Sequence, residues 1–146
     1  MNTITPFLWF DNQAEEAAEF YVSVFDGKVI EVTPGADGKA FIVRWEMDGR
    51  EFVGMNGGPG HPLTDAFSLS IDAGEQDRVD ELWDTLTADG GEPGQCGWLV
   101  DRYGLSWQVV PSRLGELMTG PNGPAVTAAL MTMQKIVIAD LEAAAR

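Results

Sequence analysis

The sequence predicts an α+β fold made of two paired βαβββ modules followed by a helical extension. Two observations carry that prediction. Residues 3–56 and 66–110 each run through a strand closed by an aspartate, an amphipathic helix, a glycine break and three short strands. After Pro111 the strand pattern stops, and the chain becomes rich in alanine and methionine. Residues 1–146 are expected to form a single domain, with 3–56 and 66–110 as the modules and 111–146 as the extension. Such a duplication implies two sheets around a shared concavity, with the chemistry between the halves.

Taken in order, residues 3–10 are β-branched and aromatic and read as a strand. Asn12 followed by Glu15 has the spacing of a capping box, which opens a helix. Ala14, Ala17, Ala18, Tyr21, Val24 and Phe25 recur at helical spacing, while Glu15, Glu16 and Glu19 take the wet side. Gly27 can end that helix, and residues 28–33, 40–47 and 51–56 supply three strands. Asp48-Gly49 is a favoured hairpin turn between the last two. Within residues 40–47, Phe41, Val43, Trp45 and Met47 share one face, and Ile42, Arg44 and Glu46 the other.

The Gly- and Pro-rich residues 57–62 break regular structure and join the halves. Residues 66–72 alternate Phe67, Leu69 and Ile71 with Ala66, Ser68 and Ser70, as a strand does. Val79, Leu82, Trp83 and Leu86 mark a second amphipathic helix closed by Gly90-Gly91, and three brief strands are expected within residues 92–110. Beyond them, residues 113–118, about 125–134 and 139–145 are expected to be helical. Leu130, Met131, Met133, Ile136 and Ile138 are too apolar for a solvated tail, so the extension is expected to pack on the domain or on a second subunit, and a homodimer is the expected assembly.

Composition narrows the function classes. With 146 residues the chain buries roughly 70% of its unfolded surface, enough for a core without a metal or disulfide staple. The net charge of −14, from 23 acidic and 9 basic side chains, repels phosphate backbones and anionic lipid, so nucleic acid and membrane surfaces are not expected partners. A single cysteine makes no internal disulfide, and the first residues carry neither a basic run nor a long apolar run, which points to the cytoplasm. No apolar run approaches the ~20 residues of a membrane helix.

Four segments carry a resemblance: ITPFLWFDNQAEEAAEFYVSVF, the MNGGP turn at 55–59, DELWDTL at 80–86, and GQCGWLVDRYGLSWQVVPSRLGELM at 94–118. On these, the chain resembles the vicinal oxygen chelate superfamily, the glyoxalase, bleomycin-resistance and dioxygenase group. Within it, the chain looks like the PhnB-like branch, also called 3-demethylubiquinone-9 3-methyltransferase domain proteins. The resemblance spans nearly the whole chain and implies the paired-module fold, although one scaffold hosts unrelated chemistries.

The resemblance also implies where a divalent metal would sit in relatives that use one. The four ligand positions fall near Pro6, near Phe52 or Gly54, near Ala66 or Phe67, and at Gln108 in the pattern Asp101-x-x-Gly104-x-x-x-Gln108. Only Gln108 offers an oxygen donor, and one neutral amide does not hold a transition metal that wants three or four protein ligands. The expectation is therefore no metal and no other cofactor. His61, the only histidine, lies in the connector and is expected to be an exposed loop residue. The glycine-rich turn of a Rossmann-type methyl-donor site is absent after the first strand, which ends Phe10-Asp11-Asn12.

What remains is an expected apolar cup. If Pro6 and Gln108 point inward as the resemblance implies, alternation sends Leu8, Phe10, Ser106 and Val110 inward as well, with Asn56 at the mouth. Such a lining suits a small, partly hydrophobic ligand oriented by amides, or else simply fills a collapsed barrel. Cys96 reads as a small hydrophobe or as a reactive thiol, with Arg102 the nearest basic residue in sequence. Asp101 is expected to organise the turn before Gly104, and the five tryptophans to be core more than platform. The candidate ligand-binding residues are thus Leu8, Phe10, Phe52, Asn56, Cys96 and Gln108, with catalytic residues undefined. Three functions follow: a metal-free binder of a small apolar molecule in the cleft between modules; an enzyme, acting through Gln108 with a metal, through Cys96, or as the methyltransferase of the family label; or a structural, partner-binding dimer.

Overall fold

The computed structural model describes residues 4–146, so Thr3, where the first strand was expected to begin, lies outside the described residues. The chain divides into two compact units, residues 1–63 and 64–146. The first unit contains β1 (Phe7–Phe10), α1 (Ala14–Val24), β2 (Lys28–Pro34), β3 (Ala40–Met47) and β4 (Arg50–Asn56). The second contains β5 (Ser68–Gly74), α2 (Gln76–Thr87), β6 (Glu92–Pro93), β7 (Trp98–Val100), β8 (Ser106–Pro111), α3 (Leu114–Met118), α4 (Gly123–Leu130) and α5 (Ile138–Ala145).

The strand orders repeat: β1-β4-β3-β2 in one sheet and β5-β8-β7-β6 in the other. In each, the first strand runs parallel to the last, and the remaining pairs are antiparallel. The duplication read from the sequence is therefore a duplication of topology, and the fold is α+β with two βαβββ modules.

In the first unit, Ala14, Ala17, Ala18 and Tyr21 of α1 are fully buried, and small alanines let the helix lie close on β3 and β4. Val43, Trp45 and Met47 face it as expected, whereas Phe41, at the start of that face, is 42% exposed. The hairpin between β3 and β4 turns at Asp48 and Gly49, both with positive φ (53° and 70°), the conformation a two-residue turn of this hand demands.

The start of α1 differs from the capping box expected at Asn12 and Glu15. The residue preceding the helix is Gln13, and its side chain caps nothing. The Ala14 N–H instead donates to Asn56 Oδ1 at 2.8 Å. Asn56 reaches the helix because β4 lies parallel to β1 with Asn56 opposite Phe10, so a distant residue satisfies the donor a local one was expected to take. At the other end, the positive φ falls on Asp26 (52°), and Gly27 serves a different need: a Cβ there would lie 1.9 Å from the Glu46 carbonyl oxygen.

In the second unit, α2 buries Val79, Leu82, Trp83 and Leu86 against the sheet face that carries Leu99, Trp107 and Val109. The extension packs on this same unit. Leu117, Val126, Leu130, Ile136 and Leu141 form its core, with Cys96 packed against them. Gln76 on α2 fastens it: Nε2 donates to the Ile136 carbonyl at 3.0 Å, and Oε1 accepts from the Ile138 N–H at 2.7 Å. The Cys96 and Gly97 N–H groups donate to the Met133 and Gln134 carbonyls, both at 2.8 Å. Among the described residues, no helix is long and apolar enough to cross a membrane.

Candidate functional site

Each sheet has one face under its helix and one face opposite. Leu8, Phe10 and Phe52 lie on the helix-covered face of the first sheet, at 3%, 4% and 5% exposure. Phe52 stacks on Trp45, with ring centroids 5.8 Å apart and planes at 14°, and Trp45 in turn lies 6.0 Å from Tyr21 of α1. Gly54 is the space that lets them close up, since a Cβ there would lie 3.1 Å from both Phe10 and Trp45. These three side chains, expected in a cup, are core between sheet and helix. Alternation grouped Leu8 with Phe10, but the apolar face of a half-covered sheet turns toward its helix.

Asn56 spends its amide locally as well, because Nδ2 donates to the Ala40 carbonyl at 3.1 Å while Oδ1 caps α1. Pro6 is half-buried, and its carbonyl accepts from the Val53 N–H at 3.0 Å. On the opposite face of the first sheet, Arg44 pairs with Glu51 and, at 3.5 Å, with Glu31, which raises the guanidinium above its ordinary value through the Glu51 hydrogen bond first and charge attraction second. Trp9 lies on that face too and donates from Nε1 to the Gly58 carbonyl at 2.8 Å, and the exposed His61 ring packs 4.3 Å from its ring.

The second unit has a different character. Ser68, Ser70, Trp98, Val100, Ser106 and Gln108 share the face opposite α2, with Trp98 directly across from Gln108 and Val100 from Ser106. Gln108 Nε2 donates to Ser68 Oγ at 3.0 Å. A recess of about 350 Å³ lies on this face, lined by residues 92–95 together with Asp65, Trp98, Val100 and Ser106. Ser106 is 1% exposed, and its hydroxyl has no hydrogen-bond partner among the described residues. Sequence reasoning placed Ser106 and Gln108 on a common face but did not find Asp65, Glu92 or Trp98 as lining. A two-residue edge strand at β6 leaves too little alternation to reveal it.

Asp101 organises its turn as expected. It is 2% exposed, with Oδ1 accepting from the Tyr103 and Leu105 N–H groups and Oδ2 from Trp107 Nε1 at 2.8 Å. That geometry positions β8, and therefore Gln108, from below. Cys96 is half-buried with φ of 59°, and its Sγ lies 3.7 Å from Met131 Sδ.

The metal positions can be weighed by their donors. Pro6, Phe52, Gly54, Ala66 and Phe67 offer no side-chain ligand atom, and Gln108 stands alone. Among the described residues, no group of three or more His, Cys, Asp or Glu side chains is placed to hold a metal ion. The residues present do not fit the metal that the fold would otherwise accept.

Two four-stranded mixed sheets of identical order, each backed by one helix, define a vicinal oxygen chelate fold. The chain belongs to the 3-demethylubiquinone-9 3-methyltransferase family, whose model matches residues 2–110. It is similar to the PhnB protein of Bacillus cereus at 27% identity and a TM-score of 0.69, over 76% of this chain and 100% of that one. Protein PA1353 of Pseudomonas aeruginosa shares the fold at 18% identity and a TM-score of 0.61, over 73% of this chain and 95% of that one. So does the fosfomycin resistance protein FosX of Listeria monocytogenes, solved with Mn(II), at 14% identity and a TM-score of 0.54, over 73% and 89%. No curated protein matches the chain.

Proposed function

We propose that this chain binds a small, partly apolar molecule and does so without a resident metal ion. The observation that carries this is the recess of about 350 Å³ in the second unit, on the face shared by Gln108, Trp98 and Ser106. Its volume lies at the small end of ligand pockets, and its lining joins apolar surface to a few polar atoms, as binding sites do. FosX, which shares the fold, was solved with Mn(II); among the described residues of this chain, no three His, Cys, Asp or Glu side chains are grouped to hold such an ion. The same molecule is proposed to be a homodimer, supported by the exposure of Phe7 (58%), Phe67 (52%) and Met131 (65%).

The test is a thermal-shift screen of the purified protein against divalent metals, S-adenosylmethionine and small aromatic metabolites. Stabilisation by one aromatic compound and none by metals is the expected result, since a ligand at 100 times its Kd adds about 2.7 kcal/mol. Stabilisation by S-adenosylmethionine would replace this reading with the methyl transfer in the family's name. Light scattering on the same sample should give twice the 15.8 kDa chain mass, and a monomer would refute the dimer.

A further inference from the structure

We propose that the recess of the second unit selects a small organic ammonium ion, a protonated amine on a compact apolar body. This rests on the binding reading above and adds the charge of the ligand to it. Asp65 and Glu92 are the charged lining residues, both are acidic, and no lysine or arginine lines the recess. Neither carboxylate forms an ion pair among the described residues, whereas Asp80, Asp89, Glu31 and Glu51 each have a cationic partner. The indole of Trp98 stands in the same lining, and an aromatic face attracts a cation within ~6 Å.

Ser106 is the independent observation. Its hydroxyl is buried at 1% residue exposure without a partner, on the face it shares with Trp98 and within the lining of the recess. A hydroxyl withdrawn from water and left unpaired is unfavourable, and an occupant that donates a hydrogen bond to its oxygen removes that penalty. An ammonium group supplies N–H donors for Ser106, charge for Asp65 and Glu92, and a cation for the indole. An anion meets the two carboxylates unfavourably, and the net charge of −14 enriches cations around the whole molecule.

The experiment uses three compounds of one shape and three charges: 2-phenylethylammonium, 2-phenylethanol and 3-phenylpropionate. Each is titrated into the full chain while the Trp98 indole N–H resonance reports binding at the recess. The ammonium ion is expected to saturate that resonance, the alcohol to bind about fivefold more weakly, and the carboxylate not to saturate. Asp65→Asn combined with Glu92→Gln should weaken the ammonium ion about tenfold and leave the alcohol unchanged, and raising the salt should have the same direction of effect. Ser106→Ala should weaken the ammonium ion about threefold while the melting temperature holds or rises, because the unpaired hydroxyl is gone. An alcohol that binds as tightly as the ammonium ion, or a carboxylate variant that binds it unchanged, overturns the inference and leaves the binding reading standing. No response at Trp98 to any of the three at about 10 mM overturns both.

Discussion

Replacing Gln76 with alanine should release the C-terminal extension from α2. The glutamine makes three bonds there: to the Ile136 carbonyl at 3.0 Å, from the Ile138 N–H at 2.7 Å, and to Asp80 Oδ1 at 2.9 Å. The first two bonds hold backbone groups on either side of Val137, next to an Ile136 side chain with no exposed surface. Each such bond contributes roughly 0.5–1.5 kcal/mol net, and a backbone group left unpaired in a part-buried position loses somewhat more. The sum is about 2 kcal/mol, or roughly 4–8 °C in melting temperature for a chain of this size. Urea titration followed by tryptophan fluorescence measures the free energy, and hydrogen exchange at the Ile138 amide tests its location, since that amide should exchange faster than those inside α2. A loss below about 0.5 kcal/mol with unchanged exchange at Ile138 would refute the clamp.

Three further outcomes are expected. Asp101→Asn should destabilise the fold by about 2–4 kcal/mol, because an amide cannot accept from the Tyr103 and Leu105 N–H groups and from Trp107 Nε1 as the carboxylate does; a melting curve within 1 °C of the parent would contradict the role given to it. Gly97→Ala combines a φ of 86° with a Cβ placed 2.7 Å from Ile136 Cδ1 and 3.0 Å from the Val109 oxygen, so a loss of about 2–3 kcal/mol is expected from chemical denaturation. Asp80 is held below its ordinary 3.8 by the Gln76 hydrogen bond first and the Lys135 contact next, and Asp72 by Ser112 first and the Gly74 N–H next. Both carboxylates are lowered in the folded state, so their contribution is complete above about pH 4 and disappears as the pH falls through the folded values; Asp80→Asn should flatten that acid limb.

Much of this architecture could be read from local pattern. Helical spacing at Ala14, Ala17, Ala18 and Tyr21, strand alternation at Val43, Trp45 and Met47, and the Asp48-Gly49 turn all reappear in the structure, because each depends on neighbours in sequence. What pattern could not supply was anything set by a distant partner. Asn56 caps a helix 42 residues away, and Gln76 binds backbone 60 and 62 residues away, and neither has a local signature. The same limit governs the site. Alternation put Leu8 and Phe10 on one face, and the resemblance brought in Phe52, but the direction of that face follows from where α1 lies, and α1 turned all three into core. Ser106 and Gln108 share a face by simple alternation, whereas Trp98 joins them through cross-strand pairing of β7 with β8, Glu92 through a two-residue strand and Asp65 through a loop.

Of the four donor positions that the resemblance implies, three fall on Pro6, on Phe52 or Gly54, and on Ala66 or Phe67, and only the fourth, Gln108, carries a donor atom. Native mass spectrometry of the chain purified without chelators tests this most directly. The mass of the polypeptide alone, with no stoichiometric divalent ion surviving exchange into volatile buffer, is the predicted result. One transition-metal ion retained per chain would contradict it.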